Sequence, residues 1–347
     1  MEQRIKSCAT LLSLLLGVML LGACKKEESQ PGERKPLSMG NEPHLTKIRL
    51  LLDSSYEPLR GVQVNTLSQL AITRAGVQLE TVDCLGNAAT QLQQVQQTTD
   101  VDFLLVFPID LPRLHESLAH VKNSGTKVIV FDGAAPAESC TSAIFCDETK
   151  VGRMAGDFII QSLRKRASDE GFTSVIGRLV YLQDTGDGPA LKRREEALLK
   201  ALTAEPGVTL VHEAPVEASG ADAPQRLAEA FRLQKNFDVI FCDTDLIAST
   251  ASAAVTSSNA AARQSMLIMG VDGALGKGGG VELTIKSQID ATLWRPLLVD
   301  AAWILIGKYL DDSSFIAHPR YEQNPQPVSL ETALRFLNDG PPAPHVE

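Results

Sequence analysis

The sequence predicts an α/β chain built as two lobes around parallel sheets, and three observations carry that prediction. From Thr46 onward, short β-branched or Leu-rich runs alternate with amphipathic segments of helical length, the pattern of successive βαβ units. The runs fall into two series of five: 47–53, 77–84, 103–107, 127–132 and 142–147, then 177–183, 208–213, 238–243, 266–272 and 289–294. In both series a carboxylate recurs where a strand ends: Asp53, Asp132 and Asp147 in the first, Asp243 and Asp272 in the second.

The N-terminus comes before this pattern. Met1-Glu2-Gln3-Arg4-Ile5-Lys6 is followed by an apolar stretch over 9–20 and then Leu21-Gly22-Ala23-Cys24. This is the order of a secretory signal, and about 12 apolar residues are too few to cross the hydrocarbon core. Leu-Gly-Ala-Cys also resembles a bacterial lipobox, in which Cys24 would carry lipid and become the mature N-terminus; the alternative is a plain cleaved signal with an incidental Cys24. The polar run over 25–32 cannot bury a core and reads as a tether.

Composition narrows the function. With 347 residues, 44% hydrophobic and 22% charged, the chain can fill two cores, which excludes disorder over most of its length. Its 33 Lys and Arg stand against 42 Asp and Glu, and a net charge of -9 would repel a phosphate backbone, so nucleic acid is not an expected partner. Beyond the signal and the anchor, Cys84, Cys140, Cys146 and Cys242 remain. Cys140 and Cys146 bracket a short strand that would hold their sulfurs apart, no spacing resembles a zinc site, and all four read as small buried apolar residues.

The helices show the expected period. Leu111, Leu114, Leu118 and Val121 form one stripe, and Val151, Met154, Ala155, Phe158, Ile159 and Leu163 a wider one, so each helix can cover a sheet face. Pro58 and Pro189 stand where first-turn prolines would stand. In an open parallel sheet, ligands bind outside the C-terminal strand ends, where helix N-termini point their amides into a crevice. An Asp at such a place can instead cap the following helix. For Asp132 and Asp272, the matching placement in the two series favours a shared cleft.

Six stretches, in order, carry a family resemblance: Asp83-Cys84-Leu85-Gly86-Asn87-Ala88, Phe103 through Asp110, Val128 through Asp132, Asp147 through Asp157, Gly270-Val271-Asp272-Gly273, and Ala291-Thr292-Leu293. Over 48–336 the chain resembles the ribose-type periplasmic sugar-binding proteins, type I solute-binding proteins that serve ABC importers. The resemblance implies two Rossmann-like lobes joined by a three-strand hinge, with crossings near Asp147, near Arg295 and between 313 and 327. The organisation it implies is a signal peptide over 1–23, a tether over 24–44, an N-terminal lobe of 45–147 plus 296–318, a C-terminal lobe of 148–295 plus 319–338, and a tail over 339–347.

Carried over residue by residue, the resemblance puts the family's two gripping carboxylates at Asp132 and Asp272. It puts a helix-borne cation at Lys192, or at Arg193 if the register slips by one. Thr244 takes the place of an Asn after the eighth strand, with Asp245 expected to cap the helix there, and Arg295 takes the place of a polar amide beside Trp294. Where the family stacks two aromatics on the sugar, this chain has Leu59 and Arg60, and where it has an Arg after the strand-four Asp, this chain has Gly133. Glu57 adds charge to the pocket, while Tyr56 and Trp294 could restore ring contact, although a buried aromatic at a hinge is as often packing.

The function this implies is an exported, lipid-anchored, monomeric receptor that needs no cofactor and passes a sugar or related polar solute to an ABC permease. A sensor of the same fold, signalling to a chemoreceptor or histidine kinase, is the alternative. A cleft enzyme has little to rest on: no Gly-x-Ser-x-Gly elbow or His-Glu-x-x-His is present, and 273–280 lacks the spacing of a phosphate loop. A sugar-responsive transcription regulator would need a helix-turn-helix where this chain has a signal and a tether.

Overall fold

Each strand series closes into its own sheet. The first supplies β1 (Thr46–Leu52), β2 (Val77–Asp83), β3 (Phe103–Val106), β4 (Lys127–Phe131) and β5 (Ser142–Cys146), interleaved with α1 (Pro58–Thr73), α2 (Ala88–Gln96) and α3 (Leu111–Asn123). After α4 (Glu148–Asp169) come β6 (Gly177–Asp184), α5 (Pro189–Leu202), β7 (Val208–Val216), α6 (Ala223–Leu233) and β8 (Val239–Cys242). The second series continues with α7 (Asp245–Ser258), α8 (Ala260–Ser265), β9 (Leu267–Asp272), α9 (Gly280–Ile285) and β10 (Ala291–Trp294). The last segment holds α10 (Leu298–Asp311), β11 (Arg320–Gln323), β12 (Gln326–Ser329) and α11 (Leu330–Asp339). This computed structural model describes residues 44–55, 58–133, 135–186, 188–234 and 236–346. The expected signal peptide, Cys24, all but the end of the tether, Tyr56 and Glu57 lie outside the described residues.

The two sheets have the orders β11-β5-β4-β3-β1-β2 and β12-β10-β9-β8-β6-β7. All neighbours are parallel except β10 and β12. Helices on both faces demand near-continuous apolar strands, and β3, β8 and β9 are buried at every residue. The strand order reverses at β1 and again at β6, and each reversal opens a crevice at the C-terminal strand ends. Among the described residues, no helix is long and apolar enough to cross a membrane. Cys84, Cys140, Cys146 and Cys242 are free and buried.

Three crossings join the sheets: β5 into α4, β10 through Arg295 into α10, and β11 into β12. Because β11 pairs with β5, the return to the second sheet begins at Gln326, later than the 318/319 boundary that the resemblance implied. The expected tail is docked over its last residues. Gln323 exchanges two hydrogen bonds with the His345 backbone, at 2.8 and 2.9 Å, and Val346 is buried in the core that also holds Ile48 and Phe103.

One close approach sets up the site described below. Helices α4 and α5 meet where Gly152 faces the backbone of Arg194, and a Cβ on Gly152 would lie 2.0 Å from the Arg194 carbonyl oxygen. Any larger residue must push α5, and Arg194 with it, away from α4. Gly152→Ala should therefore lose about 1–3 kcal/mol of stability despite the gain in helix propensity, read as a lower urea midpoint. A stabilised variant would show that the close approach is not required.

Candidate functional site

The first lobe brings three charged side chains to its strand ends. Arg60, in the first turn of α1, points back over the sheet and grips Asp53, just after β1, in a two-pronged pair: Nε to Oδ1 at 2.9 Å and Nη2 to Oδ2 at 3.0 Å. The same Nη2 reaches Asp132 Oδ2, after β4, at 3.3 Å. Beneath it the guanidinium lies 3.7 Å from the centre of the Phe107 ring, which itself stacks on Phe131 at 4.3 Å. A planar cation on an aromatic face with carboxylates at its edge is held by sterics and by charge together.

The second lobe is drier and more heavily wired. Arg194 of α5 donates from Nε to Glu148 Oε2 at 2.7 Å, and from Nη1 to the Asp243 carbonyl at 2.8 Å and its Oδ1 at 3.3 Å. Tyr181 and the Asp184 amide donate to the Asp243 carboxylate at 2.8 and 2.9 Å. The other oxygen of Glu148, Oε1, pairs with Arg295 Nη2 at 2.7 Å, and Arg295 Nη1 reaches Asp272 Oδ1 at 3.4 Å. The chain of contacts Asp243–Arg194–Glu148–Arg295–Asp272 alternates in sign along its length.

Burial opposes the ionised form of Glu148, but Arg194 and Arg295 outweigh it and hold the carboxyl below the ordinary range. At Asp243 burial wins over Arg194, and the carboxyl is raised. Arg295 feels burial first, then the pull of Glu148, Asp132 and Asp272, and its net shift is upward. Arg295 thus contacts Asp272 and also feels the Asp132 carboxylate of the other sheet. Its Nε is buried with no hydrogen-bond partner among the described residues. Cys146, close by, has its thiol pushed up to about 12 by burial, with Arg295 opposing.

Backbone strain marks the same two carboxylates. Asp132 has φ of 51° and Asp272 of 112°, in the region that favours glycine. Such residues cost about 1–3 kcal/mol each and persist where the surroundings over-determine them.

Of the residues expected from the sequence, Arg60 meets Asp132 and Arg295 meets Asp272, and Leu59 beside Arg60 is buried. Lys192 and its register neighbour Arg193 are exposed; the inward cation is Arg194, which shares a helix face with Leu198 and Leu202, at four-residue steps. Thr244 is the α7 cap, its Oγ1 accepting the Ile247 N–H at 3.2 Å, while Asp245, expected as the cap, is turned inward and buried. Trp294 packs edge-to-face on Phe336 at 5.5 Å, in an apolar cluster with Val281 and Val328, so its ring is taken up by packing. The sequence reading missed Glu148, Arg194 and Asp243 as members of the site. The usable signal was helical phase: Glu148 lies on the buried stripe of α4 with Val151, Gly152 and Ala155.

A family profile described as a periplasmic binding protein domain matches residues 67–294. A curated relative, the ribose import binding protein RbsB of Bacillus subtilis (strain 168), is 27% identical over 156 residues, which make up 44% of this chain and 50% of that protein, so the match spans about half the relative's length. Solved structures with the same fold include a solute binding protein of Actinobacillus succinogenes 130z with bound D-allose, at TM-score 0.71 and 16% identity over 84% of this chain and 100% of that one. Another, from Bacillus halodurans C-125 with bound myo-inositol, has TM-score 0.70 and 12% identity over 85% and 98%. The fructose binding periplasmic domain of a hybrid two component system has TM-score 0.68 and 22% identity over 84% and 93%. With two parallel sheets linked by three crossings, and a family profile covering more than half its length, the chain belongs to the periplasmic binding protein family.

Proposed function

We propose that this protein is an extracytoplasmic solute-binding lipoprotein that captures a sugar or related polyhydroxylated molecule between its lobes and delivers it to an ABC importer. The observation that carries the reading is a strand-end carboxylate from each sheet held beside a guanidinium, Asp132 with Arg60 and Asp272 with Arg295. Each sugar hydroxyl both donates and accepts, so an alternation of carboxylate oxygens and guanidinium N–H groups matches a vicinal diol. Charge-assisted hydrogen bonds of this kind are worth about 1.5–3 kcal/mol each, and a few of them account for micromolar affinity, about -8 kcal/mol. Only a closed state touches the ligand from both lobes, so binding and closure are linked. The protonated Cys146 thiol is a poor nucleophile, in keeping with binding without chemistry. The names of the ribose, D-allose and myo-inositol binders support the substrate class.

A sensing role is the second reading, and the fructose binding domain of a two component system is what favours it. Loss of ligand uptake in a deletion strain supports transport; intact uptake with a lost transcriptional or chemotactic response supports sensing.

Titration calorimetry of the mature domain against D-ribose, D-fructose, D-allose and myo-inositol should give saturable binding to at least one. Asp132→Asn and Asp272→Asn should each weaken it about tenfold to a hundredfold in variants that still melt cooperatively. No binding across pentoses, hexoses and cyclitols, or unchanged affinity in both variants, defeats the reading.

Cys24→Ser should leave the protein without its lipid and shift it from the membrane fraction to the soluble one. Continued membrane attachment would exclude Cys24 as the anchor.

A further inference from the structure

Asp245 opens α7 directly after β8, and its carboxyl is packed from every side. A Cβ on Gly270 of β9 would lie 2.4 Å from its Oδ1, and one on Gly280, at the start of α9, 2.1 Å from its Oδ2. The Gly273 N–H donates to Oδ2 at 2.6 Å. Oδ1 lies beside Thr292 of β10, whose hydroxyl is buried. The titratable groups facing the carboxyl are Asp272 at the end of β9 and Cys242 at the end of β8; β10 and α9 present Thr292 and Gly280, which carry no charge. Neither facing group is a cation.

Gly273 matters because of what precedes it. Asp272 and Gly273 form a turn with φ of 112° and 59°, and a Cβ on Gly273 would sit 2.3 Å from the Cα of Trp294. The turn is wedged against β10, next to the point where Asp272 meets Arg295. A strained turn of this kind persists where its surroundings over-determine it; the Arg295 N–H holds the Asp272 carbonyl at 3.0 Å, and the Asp245 carboxyl holds the Gly273 amide.

We propose that Asp245 is a positioning residue for the binding cleft: its buried carboxyl pins the Gly273 amide and thereby seats the Asp272 carboxylate against Arg295. The assignment rests on the receptor reading above for its functional meaning and on geometry for its structural one. Burial, followed by the neighbouring Asp272 carboxylate, pushes the Asp245 carboxyl well above the ordinary carboxylate range. A carboxyl raised by folding contributes stability while it is protonated, and that contribution is lost as pH rises through its folded value.

The test compares Asp245→Ala, Asp245→Asn and Val255→Ala, the last a fully buried residue near the other end of the same helix. In the wild type the Gly273 amide should exchange slowly with solvent. Asp245→Ala should expose that amide to exchange and, in titrations with D-ribose, D-fructose, D-allose and myo-inositol, weaken binding about tenfold or more. Val255→Ala should lower stability yet leave both readouts unchanged. Asp245→Asn keeps a neutral acceptor and should rescue Gly273 protection and bring affinity back to within about threefold. It should also outlast the wild type increasingly as pH is raised. Equal binding by Asp245→Ala and Val255→Ala, an unprotected Gly273 amide in the wild type, or failure of the Asn variant to rescue would each overturn the assignment. If the wild type binds none of the four compounds, the receptor reading fails, while Gly273 exchange and the pH profile of stability still decide the positioning role.

Discussion

A guanidinium taken out of water must find carboxylates, and the second lobe depends on how Arg295 finds Glu148. Glu148 stands one residue past the first crossing and Arg295 at the second, so their 2.7 Å pair ties two of the three connections between the sheets. Glu148 holds Arg295 with one oxygen and Arg194 with the other, and Arg194 reaches it where Gly152 lets α5 approach. A buried pair adds little net stability compared with an apolar substitute, but removing one member strands a charge at a cost of about 3–5 kcal/mol. The network is therefore better understood as setting geometry than as holding the fold together.

The two halves of the cleft differ in stiffness. In the first lobe Asp53 and Asp132 keep 26% and 23% of their side-chain surface, whereas Glu148, Arg194 and Asp243 keep 5% or less. Water can still screen the first set, and the aromatic pair of Phe107 and Phe131 supplies its rigidity. The second set is fixed by its own contacts, so its side chains have little freedom left to lose.

Much of this was legible in the sequence, for identifiable reasons. Two series of apolar strands and their terminal carboxylates are local patterns, and Asp132 and Asp272 follow from them. Arg194 was missed because Lys192-Arg193-Arg194 reads as one basic run, and only the phase set by Leu198 and Leu202 separates the inward member from the two exposed ones. Thr244 and Asp245 exchanged expected roles because both residue types cap helices, and what decides is the space beside Gly270 and Gly280, which belongs to tertiary packing. The pairing of Glu148 with Arg295 joins residues on separate crossings, which no local pattern registers. The strand β11 is polar and short, and its place beside β5 is set by that neighbour.

The departures from the ribose-type pattern form one change when seen in three dimensions. Gly133 stands where the resemblance expects an Arg, and a Cβ there would already lie 2.8 Å from Leu111 Cδ2. Arg60 stands where an aromatic is expected, and its guanidinium reaches the same Asp132 carboxylate while lying flat on Phe107. The cation beside the strand-four carboxylate is kept, but it comes from α1 and not from the strand end. Because a guanidinium offers a flat face as well as edge donors, one residue can cover both absent functions. The strand-four carboxylate of the first lobe thereby stays paired, with the Arg60 Nε and Nη2 donors committed to Asp53 and Asp132.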